Sequence, residues 1–259
     1  MYPILVRFGD FTVHTYGVLL AVGFLLAVFL SRDGARRAGI DPNVMLDMSF
    51  YILLAAILGS RLFYVLTNWP EFAENPIDVV KFWRGGLVFY GGLIFAFLVG
   101  VWYVRKYRLN LPKMADVVAP SIALGQALGR LGCFSAGCCY GKATTAFWAV
   151  TFRDPDSLAP LRVPLHPTQL YESAATFGIF LALIFMRRWE RFQGRLLWYY
   201  LLFYSTARFI IEFFRGDPRG WAIPGVLSTA QATGIPVALV ALFIILRNKP
   251  AATRPPSVE

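Results

Sequence analysis

Charge is scarce in this sequence. Aspartate, glutamate, lysine and arginine make up 15% of its 259 residues, whereas a soluble domain carries about a quarter. Hydrophobic residues supply 57%, and the mean hydropathy is +0.56. That shortage excludes an ordinary soluble domain and points to an integral membrane protein. Histidine is nearly missing, with only His14 and His166. The three cysteines, Cys133, Cys138 and Cys139, are crowded into one stretch and cannot make a disulfide framework. A single Cys133–Cys138 or Cys133–Cys139 disulfide, a structural role and contact with a substrate all remain open for them. A zinc site wants about four ligands, which makes metal the weaker reading. Met1 to Thr12 contains one basic residue, Arg7. It lacks the basic start of a cleavable signal peptide, so the first apolar span is expected to be retained.

Long apolar runs are what the sequence does have. They are near twenty residues, twice the strand length of a membrane β-barrel. The expected fold is therefore all-α, with seven transmembrane helices near Thr15–Ser31, Val44–Leu66, Gly86–Val104, Met114–Leu131, Thr168–Met186, Arg195–Phe214 and Val226–Leu246. The formal charge is +10, which in a soluble protein would suggest nucleic acid. Here the basic residues sit in short loops, so nucleic-acid binding is not expected. Arg32, Arg36 and Arg37, then Arg105, Lys106, Arg108 and Lys113, then Arg187, Arg188, Arg191 and Arg195, and last Arg247, Lys249 and Arg254 form four basic segments. All four fall on one side of a seven-span chain. The positive-inside rule makes that side cytoplasmic and places the N-terminus outside. Cys133 to Pro167 then forms a small outer head, with a strand and turn expected around Thr151 to Asp156. Trp69, Pro70 and Trp83 suggest an interfacial segment. Residues 1–249 read as one domain, and the proline-rich tail 250–259 as disordered.

Polar residues gather at the outer ends of the spans. In the run from Gly129 to Gly141, Gly129, Gly132, Gly137 and Gly141 are expected to end a helix in a shaped turn. Arg130 precedes that turn. Arg208 and Glu212 share a helix face at a spacing of four, and Arg215 follows near the same end. Charged groups within hydrocarbon are functional candidates. The guanidinium fork suits phosphate oxygens, so Arg130, Arg208 and Arg215 could converge on a phospholipid head group. An internal salt bridge is the other reading of Arg208 and Glu212. His14 and His166 both stand at outer span ends, where proton transfer or hydrogen bonding is possible. Tyr16 opens the first span, as anchor or head-group donor. The paired glycines around Tyr90, in Gly85-Gly86-Leu87-Val88-Phe89-Tyr90-Gly91-Gly92-Leu93, allow helices to pack closely or a lipid to approach. Arg61 could pair across helices or reach for the interface.

Together these motifs resemble the bacterial prolipoprotein diacylglyceryl transferase family, over nearly the whole chain. The family signature G-R-x-G-N-F-x-N-x-E-x-x-G is matched by Gly129, Arg130, Gly132, Phe134 and Gly141. The run His166-Pro167-Thr168-Gln169-Leu170-Tyr171-Glu172 resembles H-P-[ST]-Q-L-Y-E, and Arg208 to Arg215 resembles R-F-x-x-E-F-F-R. Cys133 and Ala136 stand where that signature has asparagines, Cys138 where it has glutamate, and Tyr90 where histidine is common. The resemblance implies transfer of the diacylglyceryl group of phosphatidylglycerol to the lipobox cysteine of a prolipoprotein signal peptide, in the bacterial inner membrane among membrane lipids. It needs no metal and no organic cofactor. On this reading Arg130 and Arg208, supported by Arg215, hold the phosphate, and Glu212 orders Arg208. His14 or His166 takes the thiol proton, and Tyr16 or Tyr90 orients groups. Cys133, Cys138 and Gly141 line the phosphatidylglycerol site. A catalytically altered lipid-binding relative and a small membrane transporter are the competing classes. Polar motifs on one face, in place of broken helices at the midplane, favour the enzyme.

Overall fold

The computed structural model describes residues 2–9, 11–81, 85–188, 194–218 and 220–247. Trp83, Arg191, Lys249 and the tail 250–259 lie outside the described residues. A hairpin of β1 (Ile4–Phe8) and β2 (Phe11–His14) leads into α1 (Thr15–Arg37), α2 (Pro42–Thr67), α3 (Trp69–Glu74) and a 3-10 turn (Pro76–Val80). The chain continues through α4 (Phe89–Lys106), α5 (Leu111–Ala136), β3 (Val150–Thr151), β4 (Pro164–Leu165), α6 (Thr168–Met186) and α7 (Arg195–Glu212). It closes with β5 (Trp221–Ile223), β6 (Leu227–Ser228) and α8 (Thr229–Arg247).

Among the described residues, six helices (α1, α2, α4, α5, α6 and α8) are long and apolar enough to cross a membrane. They expose large apolar side chains such as Phe29, Leu58, Phe97, Leu181 and Leu239, which suits hydrocarbon as the surrounding solvent. The expected sixth span, α7, is an 18-residue helix. It stands outside the six because Arg195, Arg208 and Glu212 interrupt its apolar run.

The chain forms two compact units, Met1–Ser31 with Ala115–Glu259, and Arg32–Met114. In the second unit α2 and α4 pack through small residues. A Cβ on Gly59 would meet the Gly91 carbonyl at 2.6 Å, so the glycines around Tyr90 are used for helix packing. Arg61 bonds backbone carbonyls of the segment that follows α3. Its guanidinium donates to the carbonyls of Asp78, Val79, Gly85 and Gly86 and so holds that segment to α2.

In the first unit, Ala119, Ala123, Ile179, Leu183, Leu196 and Tyr200 form a core where α5, α6 and α7 meet. The helices are locked by polar contacts inside it. Ser173 Oγ donates to the Ala127 carbonyl at 2.9 Å. Asp116 of α5, fully buried, accepts from the backbone N–H groups of Gly194 and Leu196 at 2.7 and 2.8 Å. It thereby caps the start of α7 from another helix, satisfying donors that a helix start leaves open. At α8, Ser228 and Gln231 form a reciprocal capping box, with contacts of 3.1 and 3.2 Å.

The segment after α5 folds on its own small core of Phe152, Ala159 and Leu165, against which Phe134, Tyr140, Val150 and Val163 pack. The strand expected near Thr151 is β3, antiparallel to β4. The expected end of the fourth span at Leu131 is five residues early. α5 runs on to Ala136, and Gly129 and Gly132 lie inside it. The chain turns at Gly137, whose φ of +75° suits glycine.

Candidate functional site

Three pieces of chain cross beyond the end of α5. Gly141 N donates to the His166 carbonyl at 3.0 Å, Lys142 N to that of Phe214 at 2.8 Å, and Gly216 N to that of Tyr140 at 3.1 Å. Only glycine fits the crossing, since a Cβ at Gly141 would lie 2.5 Å from the His166 oxygen and 2.8 Å from the Phe214 oxygen. This junction ties the Gly/Cys turn, the start of α6 and the segment after α7 together, and it fixes Arg215.

Arg215 and Arg130 converge on one carboxylate. Arg130 Nη2 lies 2.8 Å from Glu172 Oε1, and Arg215 Nη1 lies 3.7 Å from Glu172 Oε2. The Glu172 and Arg215 side chains are 1% and 2% exposed, and that of Arg130 is 21% exposed, so Arg130 is the member open to a ligand. Tyr204 Oη donates to Glu172 Oε1 at 3.1 Å. Asp217 accepts two hydrogen bonds from Arg215, at 2.9 and 3.0 Å. Arg208 ion-pairs with Glu212, one helical turn beyond Tyr204 on α7.

The start of α6 organises the turn. Thr168 Oγ1 donates to the Cys139 carbonyl and Gln169 Nε2 to the Cys138 carbonyl, each at 2.8 Å. Cys139 is held at a φ of +64°, with its sulfur 3.7 Å from Arg130 Nη1. All three cysteines are free and half-buried, so neither disulfide considered from the sequence is formed. The neighbouring thiols act in opposite directions on two of them. The Cys138 thiol is pushed up, first by its contacts with Cys133 and Cys139 and then by burial. The Cys139 thiol is pushed down, first by hydrogen bonds from Cys133 and Cys138 and then by Arg215 and Arg130.

Trp148 Nε1 donates to Tyr171 Oη at 2.6 Å, and Tyr171 Oη lies 3.0 Å from His166 Nδ1. With the phenol hydrogen directed to Nδ1, neutral His166 presents Nε2–H as a donor. Tyr16, 39% exposed, rests its ring on Gly132, where an added Cβ would be 3.0 Å away. An apolar cavity of about 390 Å³ lies between α5 and α6, lined by Leu124, Leu128, Leu131, Leu170, Ala174 and Phe177 among others.

The structure thus brings together Arg130, Arg215, Gly141, Cys133 and Cys138, with Tyr16 packed on the same helix end. His166 belongs to the crossing, but its ring is engaged with Tyr171. His14 is exposed at the end of β2. Tyr90 belongs to the other unit, where it is exposed and packs edge-on against Phe89. The residue that sequence reasoning passed over is Glu172, the hub of the cluster. A glutamate inside the apolar run Thr168–Met186 was itself the signal, because such a charge needs a partner. Tyr204 and Asp217 carried no comparable mark.

The family model for prolipoprotein diacylglyceryl transferase matches residues 3–247. A phosphatidylglycerol–prolipoprotein diacylglyceryl transferase of Clostridium tetani is 34% identical over 244 residues, covering 94% of this chain and 96% of the relative. One of Bacillus mycoides is 34% identical over 251 residues, covering 95% and 92%. Phosphatidylglycerol–prolipoprotein diacylglyceryl transferase 2 of Clostridium perfringens is 32% identical over 237 residues, covering 92% of this chain and 91% of the relative.

Proposed function

The chain belongs to the prolipoprotein diacylglyceryl transferase family, and on that premise we propose that it moves the diacylglyceryl group of phosphatidylglycerol to the lipobox cysteine thiol of a prolipoprotein, with Arg130 holding the phosphate and the buried Arg215 supporting it from behind. The carrying observation is the pair of guanidinium groups on the buried Glu172, with Arg130 and Glu172 on the same two helices, α5 and α6, that line an apolar cavity. A phosphodiester has the charge and the oxygen spacing for the guanidinium fork. An acyl chain has the polarity for the cavity, and its lining residues Leu131 and Leu170 stand one residue after Arg130 and two residues before Glu172.

The reaction breaks the bond between the glyceryl carbon and its phosphate oxygen and forms a carbon–sulfur bond. The thiol proton is balanced on the departing glycerol phosphate. Negative charge grows on that phosphate in the transition state, and fixed cations in a water-poor site stabilise it without reorganising. Glu172, Tyr204 and Asp217 keep the two arginines in place. Arg208, ordered by Glu212, supports the same anion from the next turn of α7. His166 Nε2–H donates to the leaving oxygen, and Tyr16 orients the substrates. Cys133, Cys138 and Gly141 shape the pocket wall.

Residues 1–249 act as one seven-span domain, with α7 as the remaining span. Its Arg208–Glu212 pair and its buried Arg195 turn charge away from lipid. The basic ends of α1, α4 and α8 face the cytoplasm, and the segment 133–167 and the N-terminus face outward.

The test uses detergent-purified protein, phosphatidylglycerol and a lipobox peptide. A diacylglyceryl thioether is expected with the cysteine peptide, and none when serine replaces cysteine. Well-folded protein that makes no thioether would sink the proposal.

A further inference from the structure

Three thiols meet where α5 ends. Cys133 lies on the last turn of α5, and the left-handed turn at Gly137 sends the chain back past it. Cys138 Sγ then comes to 3.7 Å from the Cys133 carbonyl. The second left-handed residue, Cys139, brings the third sulfur alongside. The three Sγ atoms all lie within 4.8 Å of one another. The turn is not left loose, because the fully buried Thr168 and Gln169 hold the two carbonyls that bracket it. A left-handed non-glycine residue carries backbone strain of order 1–3 kcal/mol, so this placement is maintained by its surroundings.

We propose that Cys133, Cys138 and Cys139 form a binding site for one thiophilic cation with three sulfur ligands. A metal–thiolate bond of about 2.3 Å puts the sulfurs of a trigonal site about 4.0 Å apart, so little rearrangement is needed. Thiolates select soft ions such as Cu(I) or Cd(II), and carboxylate or carbonyl sites select hard ones. Arg130 and Arg215 are already matched by Glu172 and Asp217, so the surroundings are close to neutral before any thiol ionises. Uptake of a divalent ion converts three thiols to three thiolates and releases three protons, leaving one net negative charge on the complex. Arg130, 3.7 Å from the Cys139 sulfur, faces that charge. Where Cys139 is ionised beforehand, two protons are released.

The probe is Cd(II), titrated into reduced, detergent-purified full-length chain and followed by the ultraviolet sulfur-to-cadmium charge-transfer band. One equivalent per chain is expected to saturate the band and to protect all three cysteines from N-ethylmaleimide together, as read by mass spectrometry. Cys133→Ser, Cys138→Ser and Cys139→Ser are each expected to weaken Cd(II) binding by at least about tenfold, in the range seen when metal-site groups are altered. Absence of the band, protection of fewer than three thiols, or unchanged affinity in a folded variant would overturn the proposal. The protection measurement needs no variant. Neither readout uses transferase turnover, so failure here is separable from failure of the proposed reaction.

Discussion

Arg130 is the residue on which the chemistry turns, since it is the exposed partner of a buried carboxylate. Arg130→Ala is expected to lower transfer by about 10²–10³-fold, the usual effect of losing one fixed stabiliser of developing charge. Glu172 has the opposite task. Glu172→Gln leaves Arg130 and Arg215 without their shared counter-charge. Breaking a buried pair in this way costs about 3–5 kcal/mol, to be read as a fall in the thermal unfolding midpoint in detergent. An unchanged midpoint would mean that the arginines do not depend on it. The Cys139 thiol, depressed by its two thiol neighbours and by Arg215 and Arg130, is expected to remain a thiolate below the ordinary thiol range. Its modification by iodoacetamide should therefore stay nearly level from about pH 8 to pH 6, whereas an ordinary thiol would slow about tenfold per pH unit there.

At the scale of elements, two devices position the site. Asp116 caps α7 from α5, and Asp116→Ala strands buried N–H groups at Gly194 and Leu196. A loss of about 1–3 kcal/mol is expected, with Asp116→Asn recovering part of it. Gly141 is the other device. Gly141→Ala pushes a methyl group into the His166 and Phe214 carbonyls, so it should reduce activity by displacing Arg215, and stability by about 1–3 kcal/mol. The motifs that made these elements visible in the sequence were short-range. The helix start at Thr168 followed from the apolar run that it opens, and the Arg208–Glu212 pair from its spacing of four. Gly129 and Gly132 misled, because a glycine within a long apolar helix gives close contact with a neighbour as readily as it ends the helix. The reach of Asp116 to α7 left no local trace, since it depends on what the fold brings beside it, whereas the β1–β2 hairpin did leave one, in the β-forming runs on either side of Gly9 and Asp10.

At the scale of the whole molecule, long apolar runs made the spans legible, and basic segments made a topology legible. Six spans follow from length and apolarity alone. The seventh rests on α7, whose charges pair or are buried inside the unit. The placement of segment 133–167 outside can be checked with a membrane-impermeant biotin reagent on intact cells bearing a single lysine-directed target at Lys142. Labelling from outside is expected, and labelling only after permeabilisation would reverse the topology. Convergence of Arg130 and Arg215 on Glu172 could not be read from sequence, because the three sit on separate segments that only the folded chain brings together. The most direct test of that cluster is the initial rate of diacylglyceryl transfer from phosphatidylglycerol to a lipobox peptide, measured for the unaltered chain and for folded Arg130→Ala and Arg130→Lys. Near-complete loss with alanine and partial recovery with lysine are expected. A rate for Arg130→Ala close to that of the unaltered chain would contradict the role given to the cluster.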